Sequence, residues 1–219
     1  SIFGGLESPQ QELTMIRRDF LKTSLLAGSA LATGAHRVEG ADPVIKHQGQ
    51  IVTVRGPIEP DQLGFTLPHE HVLVDFVGAD KVSPDRYDPD VAFEYVLPHL
   101  KEAKSLGCEA MVECTPSFLG KDPILCRRLS EATGVHLLTN VGYYGAAEDR
   151  FVPAFAYDET ADQLSDRWVK DADGVDGTDI HPGFIKIGVD KTSLSEIDAN
   201  LVPAAARTHL RTGLLIYTH

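Results

Sequence analysis

The sequence predicts an α/β protein, and within that class an incomplete (β/α)8 TIM barrel of about five βα units. Three observations lead there. β-rich runs alternate with helical segments along the chain. The strands read as nearly continuous apolar runs, as strands buried on both faces do. Polar and titratable residues fall at the C-terminal ends of several strands, where barrels gather their catalytic groups. No GxGxxG follows the first strand, which removes the main signal of a dinucleotide-binding open sheet. A full barrel takes roughly 250 residues, more than segment 42–219 supplies, so the chain reads as a fragment.

The strand candidates, in order, are GFTLPHEHVLV (64–74), CEAMVECTP (108–116), VHLLTNVGYY (135–144), GFIKIGVD (183–190) and GLLIYTH (213–219). Helices lie between them. DPDVAFEYVLPHLKEAKSLG opens on Asp88-Pro89 and stops at Gly107, and DPILCRRLSEATG opens on Asp122-Pro123 and stops at Gly134. Asp before Pro starts a helix, since the ring suits the first helical position, and Gly after the last turn ends it. Pro98 should kink or split the first of these helices. DETADQLSDRWVK sets Leu164 and Trp168 on one face, and a fourth helix runs from about Ser195 to Arg211. A linker rich in Gly, Asp and His, Gly34 to Gln50, precedes the alternating region.

With 42% hydrophobic and 24% charged residues, the composition is that of a globular protein, not a disordered or fibrous one. The formal net charge of -12 argues against a nucleic-acid partner, because binding phosphate backbones takes clustered Lys and Arg. A small molecule is the expected partner. The cysteines Cys108, Cys114 and Cys126 are odd in number and lack CxxC spacing, so they read as buried thiols.

Near the N-terminus, Arg17 and Arg18 precede an uncharged run from Thr23 to Ala35 that contains small-residue sites such as Ala30-Leu31-Ala32. This is the pattern of a twin-arginine signal peptide over residues 15–41. Its apolar stretch is shorter than the roughly 20 residues of a membrane span. Residues 1–14, ahead of Met15, read as upstream translation. The expected location is periplasmic or secreted, with no membrane span.

On a strand, residues i and i+2 point to one side. His69 and His71 therefore converge, with Glu70 directed away. Two imidazoles at a strand end make a platform for a divalent metal, although hydrogen-bonded core histidines share the pattern. Lys186 interrupts an apolar strand, where alternation puts Phe184, Lys186 and Gly188 on one face and Ile185 and Ile187 on the other. A buried, unpaired ammonium is strongly disfavoured, and desolvation pushes it towards the neutral amine. That amine reacts with carbon dioxide to give a carbamate able to bridge two metal ions. The alternative for Lys186 is a snorkelling or salt-bridged side chain.

LGFTLPHEHVLVD, GTDIHPGFIKIGVD and the terminal YTH, in that order, resemble the phosphotriesterase family of the amidohydrolase superfamily over about Val52 to His219. The resemblance implies a binuclear centre of two divalent metals, zinc by expectation. His69 and His71 would hold the more buried ion, carboxylated Lys186 would bridge both, and His219 would hold the second. It also implies a hydroxide attacking an ester, lactone or organophosphate, and it is compatible with a homodimer of the full-length protein. Two further family ligands, a sixth-strand His and an eighth-strand Asp, fall beyond His219. Asp75 gives the HEHxxxD form of lactonase-like branches, and Tyr143-Tyr144 stands where the insecticide-hydrolysing enzymes carry a tryptophan. Tyr144 is a candidate for positioning substrate, and equally for packing at the rim. The competing reading is an exported, non-catalytic metal- or ligand-binding barrel.

DADGVDGTD lacks the ligand and glycine an EF-hand needs at Val175 and Asp176, so it reads as a solvated turn. Glu113 and Cys114 are expected to line the pocket or pack the core. His99, His136, His181 and His209 are assigned no chemistry.

Overall fold

The computed structural model describes residues 47–191 and 193–219. The upstream segment, the twin-arginine signal and most of the linker lie outside the described residues. The described chain opens with an antiparallel hairpin, β1 (Ile51–Thr53) and β2 (Gly56–Ile58), which the sequence reading did not anticipate. It ties into the sheet where the Val54 N–H donates to the Leu137 carbonyl at 2.8 Å.

Barrel strands then alternate with helices in the expected order. They are β3 (Thr66–Glu70), α1 (Pro89–Ser105), β4 (Ala110–Glu113), α2 (Pro123–Thr133), β5 (His136–Leu138), β6 (Asn140–Val141), α3 (Ala161–Asp171), β7 (Phe184–Ile187), α4 (Glu196–Thr212) and β8 (Leu215–Thr218). β3, β4 and β5 pair in parallel, as do β6, β7 and β8. The one strand expected over 135–144 is broken at Thr139. Its first half pairs with β4 and its second with β7, so five parallel barrel strands follow one another in chain order.

The helix ends follow their caps. The Asp88 carboxylate accepts from the amides of Asp90 and Val91, and Asp122 accepts from Leu125. Gly134 and Gly213 take the left-handed conformation that closes α2 and α4. α1 continues unbroken through Pro98, so the expected split does not occur. Phe93, Val96, Leu97 and Leu100 pack on the core and outweigh the backbone hydrogen bond that proline forfeits.

One core lies between strands and helices, with Ile185 and Ile187 facing Leu164, Trp168, Leu201 and Ala205. A smaller one lies on the other face of the sheet, where Val112, Cys114 and Phe184 meet Leu138 and Tyr217. The alternation along β7 is therefore as expected. β4 and β7 are buried throughout, whereas β3 and β8 are the outer strands and keep partly exposed residues, against the expectation of continuous burial. All three cysteines are buried free thiols.

Candidate metal centre

His69 sits in β3 beside an irregularity in register. Leu67 pairs with Met111 and Glu70 with Glu113, so β3 carries one extra residue across that interval. Pro68 lies inside the interval and has no N–H to give the ladder, which suits a bulge, and bulges re-aim neighbouring side chains. His69 and His71 emerge on one side with ring centroids 5.3 Å apart. The His219 ring, following β8, stands 6.0 Å from His69. Tyr144 stacks edge-on against His219 at 5.5 Å. The main chain fixes His219 further, since its N–H donates to the Ile187 carbonyl at 3.0 Å.

Lys186 is only 1% exposed, among the largest fully buried side chains. Among the described residues its amine has no hydrogen bond or ion pair. Burial pulls its pKa down, and the nearby Cys114 and Glu113 only partly oppose this. The imidazoles of His69 and His71 are also pulled below the ordinary histidine value, first by burial and then by neighbouring rings and Lys186. Neutral imidazoles with free lone pairs and a neutral amine are the forms that ligate divalent ions or accept carbon dioxide, so the donor set fits a metal. Burial pushes the neighbouring Cys114 thiol up to about 11.

Behind the histidines, His71 Nδ1 lies 2.9 Å from Thr115 Oγ1, whose hydroxyl is hydrogen-bonded to Glu113 Oε1. Glu113 is 1% exposed, and burial raises its carboxyl to about 7 despite hydrogen bonds that favour the anion. Tyr143, expected at a strand end, and Asp75, of the HEHxxxD form, lie elsewhere. Tyr143 is buried in the helix-side core against Trp168, at 5.3 Å. Asp75 pairs with Arg86 at 2.5 Å and accepts from the Val77 amide, so it orders its own loop. In the DADGVDGTD turn, Asp176 is ion-paired with Lys121 at 3.2 Å.

Sequence reasoning did not single out Asp149, Asp190 and Asp198. Each brings a carboxylate oxygen within 4.8 Å of the others, the only such triple among the described residues. The Asp190 carboxylate also accepts the amides of Ala147 and Glu148, both at 3.0 Å. These positions are scattered in sequence and carry no motif. A cavity of about 620 Å³ on the smaller-core face is lined by Val52, Val112, Leu138, Phe184 and Tyr217 and by none of the histidine-site residues.

A family model for the phosphotriesterase family matches residues 49–219. The chain belongs to that family. It is 29% identical over 163 residues to an aryldialkylphosphatase of Saccharolobus solfataricus, covering 74% of this chain and 51% of the relative. It is 30% identical over 178 residues to a phosphotriesterase homology protein of Mycobacterium tuberculosis, covering 78% and 54%. Among solved structures, it is similar to the organophosphorus hydrolase of Deinococcus radiodurans, with a TM-score of 0.69 and 28% identity over 83% of this chain and 56% of that one. The chain thus spans about half the length of the phosphotriesterase-family relatives it matches, and its fold is the phosphotriesterase barrel over its first five strands.

Proposed function

We propose that this phosphotriesterase-family protein is a metal-dependent hydrolase of esters, lactones or phosphotriesters, with His69, His71, Lys186 and His219 among the ligands of a binuclear centre, zinc in our reading. The observation that carries this is the buried, unpaired amine of Lys186, near enough to His69 and His71 to act on their charge, beside a cluster of three imidazoles. A lysine is rarely enclosed without a counter-charge unless its chemistry requires the neutral form.

His69, His71, Lys186 and His219 would hold two divalent ions, which would supply activation of water for attack at neutral pH. Desolvation favours the neutral amine of Lys186, which would add to carbon dioxide: a nitrogen–carbon bond would form and one proton would leave, giving a carbamate with two ligand oxygens. His69 and His71 present lone pairs from one strand end, and His219 presents its own from β8. Tyr144, against His219, lines the rim where substrate enters. For location we propose export by the twin-arginine route, on the strength of Arg17 and Arg18 ahead of the uncharged run.

The test is metal content and hydrolysis of an aryl ester, a lactone and a phosphotriester by the protein and by Lys186→Ala. The substitution is expected to lose metal and activity, with partial recovery on adding a short carboxylic acid. Full metal content in Lys186→Ala without rescue would remove the bridging role.

A further inference from the structure

We propose that Thr115 and Glu113 are positioning residues that hold His71 in a single tautomer, with the proton on Nδ1 and the Nε2 lone pair free for a divalent cation. The inference rests on the reading of His71 as a metal ligand and concerns what makes it a competent one.

A neutral imidazole carries one N–H and one lone pair, and an unrestrained ring exchanges them between its two nitrogens. His71 lies just past the end of β3 and is solvent-exposed, so β-ladder pairing does not restrain it. Its Nδ1 lies 2.9 Å from Thr115 Oγ1. A hydroxyl has one hydrogen, and where that hydrogen goes decides the tautomer.

Glu113 Oε1 settles its direction. The oxygen receives the Thr115 N–H at 3.2 Å and the Val72 N–H at 3.3 Å. Backbone N–H groups only donate, so this oxygen is an acceptor whether or not the other carboxyl oxygen carries a proton. The third contact on the same oxygen is the Thr115 hydroxyl, which therefore donates its hydrogen to Glu113. Thr115 Oγ1 then faces His71 with lone pairs only, and Nδ1 must be the protonated nitrogen. Metal-ligating histidines are commonly oriented in this way, the second nitrogen donating to an oxygen behind the ring.

The relay is shielded and braced. Thr115 is 0% exposed and Glu113 1%, so water does not compete for these bonds. Asn140 Nδ2, from the next barrel strand, donates to the carbonyls of Glu113 at 3.0 Å and of Thr115 at 3.1 Å. The Val72 contact ties the main chain next to His71 to the same carboxylate. Three consecutive barrel strands thus converge on the orientation of one exposed ring.

The test reads the tautomer directly, by nitrogen-15 NMR of histidine-labelled, metal-free protein, and zinc affinity separately, by chelator competition. In the unsubstituted protein His71 should carry its proton on Nδ1; finding it on Nε2 overturns the proposal without any variant. Thr115→Val keeps the shape and removes the hydroxyl. It should mix the His71 tautomers and weaken zinc binding by about 10- to 100-fold, and Thr115→Ser should restore both. An unchanged tautomer and unchanged affinity in Thr115→Val would overturn the relay. His71→Ala separates the two readings: undiminished zinc binding there sinks the ligand role itself, while the NMR result still decides what holds the ring.

Discussion

The main chain at Gly142 runs against the carbonyl of Lys186, so that a Cβ at position 142 would stand 2.2 Å from that oxygen. With φ at +121°, the residue also occupies a region that L side chains rarely adopt. Gly142→Ala is therefore expected to cost about 3 kcal/mol or more, through overlap with backbone that has no room to move. Gly134→Ala is the internal control. Its φ is +74° with nothing within 4 Å of the added carbon, and only about 1 kcal/mol should be lost. Denaturant unfolding of the two variants side by side checks the contrast, and equal losses would refute it.

Folding stability should fall between about pH 4.5 and 7 on account of Glu113. Its carboxyl is raised from the ordinary 4.5 to about 7, chiefly by burial. The folded state therefore holds this proton more tightly than the unfolded chain, and binds more protons inside that window. Stability is fully present below it and is lost as the pH rises through the folded value. Glu113→Gln, which has no proton to lose, should flatten this part of the profile by up to about 3 kcal/mol. Urea midpoints across the range measure it; parallel curves for the two proteins would contradict the assignment.

Tyr144 owes its place beside His219 to a missing side chain. A Cβ on Gly188 would come within 2.5 Å of Cε2 and 2.6 Å of Cδ2 of the Tyr144 ring. Gly188→Ala should push that ring off His219 and lower kcat/KM by about 10- to 100-fold, the scale of a misplaced site group. Tyr144→Phe keeps the ring, and separates loss of the hydroxyl from loss of position. If Gly188→Ala retains full activity, Tyr144 is rim packing only.

Replacing both Arg17 and Arg18 with Lys is expected to leave the protein in the cytoplasm. Fractionation of cells carrying the paired substitution checks this, and unaltered export would exclude the twin-arginine route.

Much of the architecture was legible because the chain punctuates it with residues whose physics is local. Asp88, Asp122, Gly134 and Gly213 mark helix ends by capping or by tolerating left-handed backbone, and all four do so in the structure. The start of α3 was read too early, at Asp158. Thr160 and Gln163, which form a capping box, carried the better signal. The β1–β2 hairpin was missed because strands of only three residues leave no periodicity. In the site, spacing alone pairs His69 with His71, and a charge inside an apolar strand marks Lys186. The Thr115 and Asn140 contacts arise from register between separate strands, and the Asp149, Asp190 and Asp198 grouping from two loops and the first turn of α4, which meet only after folding. No local pattern encodes either.

The Asp190 carboxylate that grips the amides of Ala147 and Glu148 has a consequence for how the rim moves. Residues 147–149 all lie at positive φ, between 58° and 65°, a conformation that the isolated segment would abandon. Two side-chain acceptors, both on Asp190, hold it there. The loops after the third and fourth barrel strands should therefore open together, as one cooperative unit in native-state hydrogen exchange. The amides of 147 and 148 would report that shared opening, although they sit in a loop. In Asp190→Ala their protection should vanish first, while the amides of β7 stay slow.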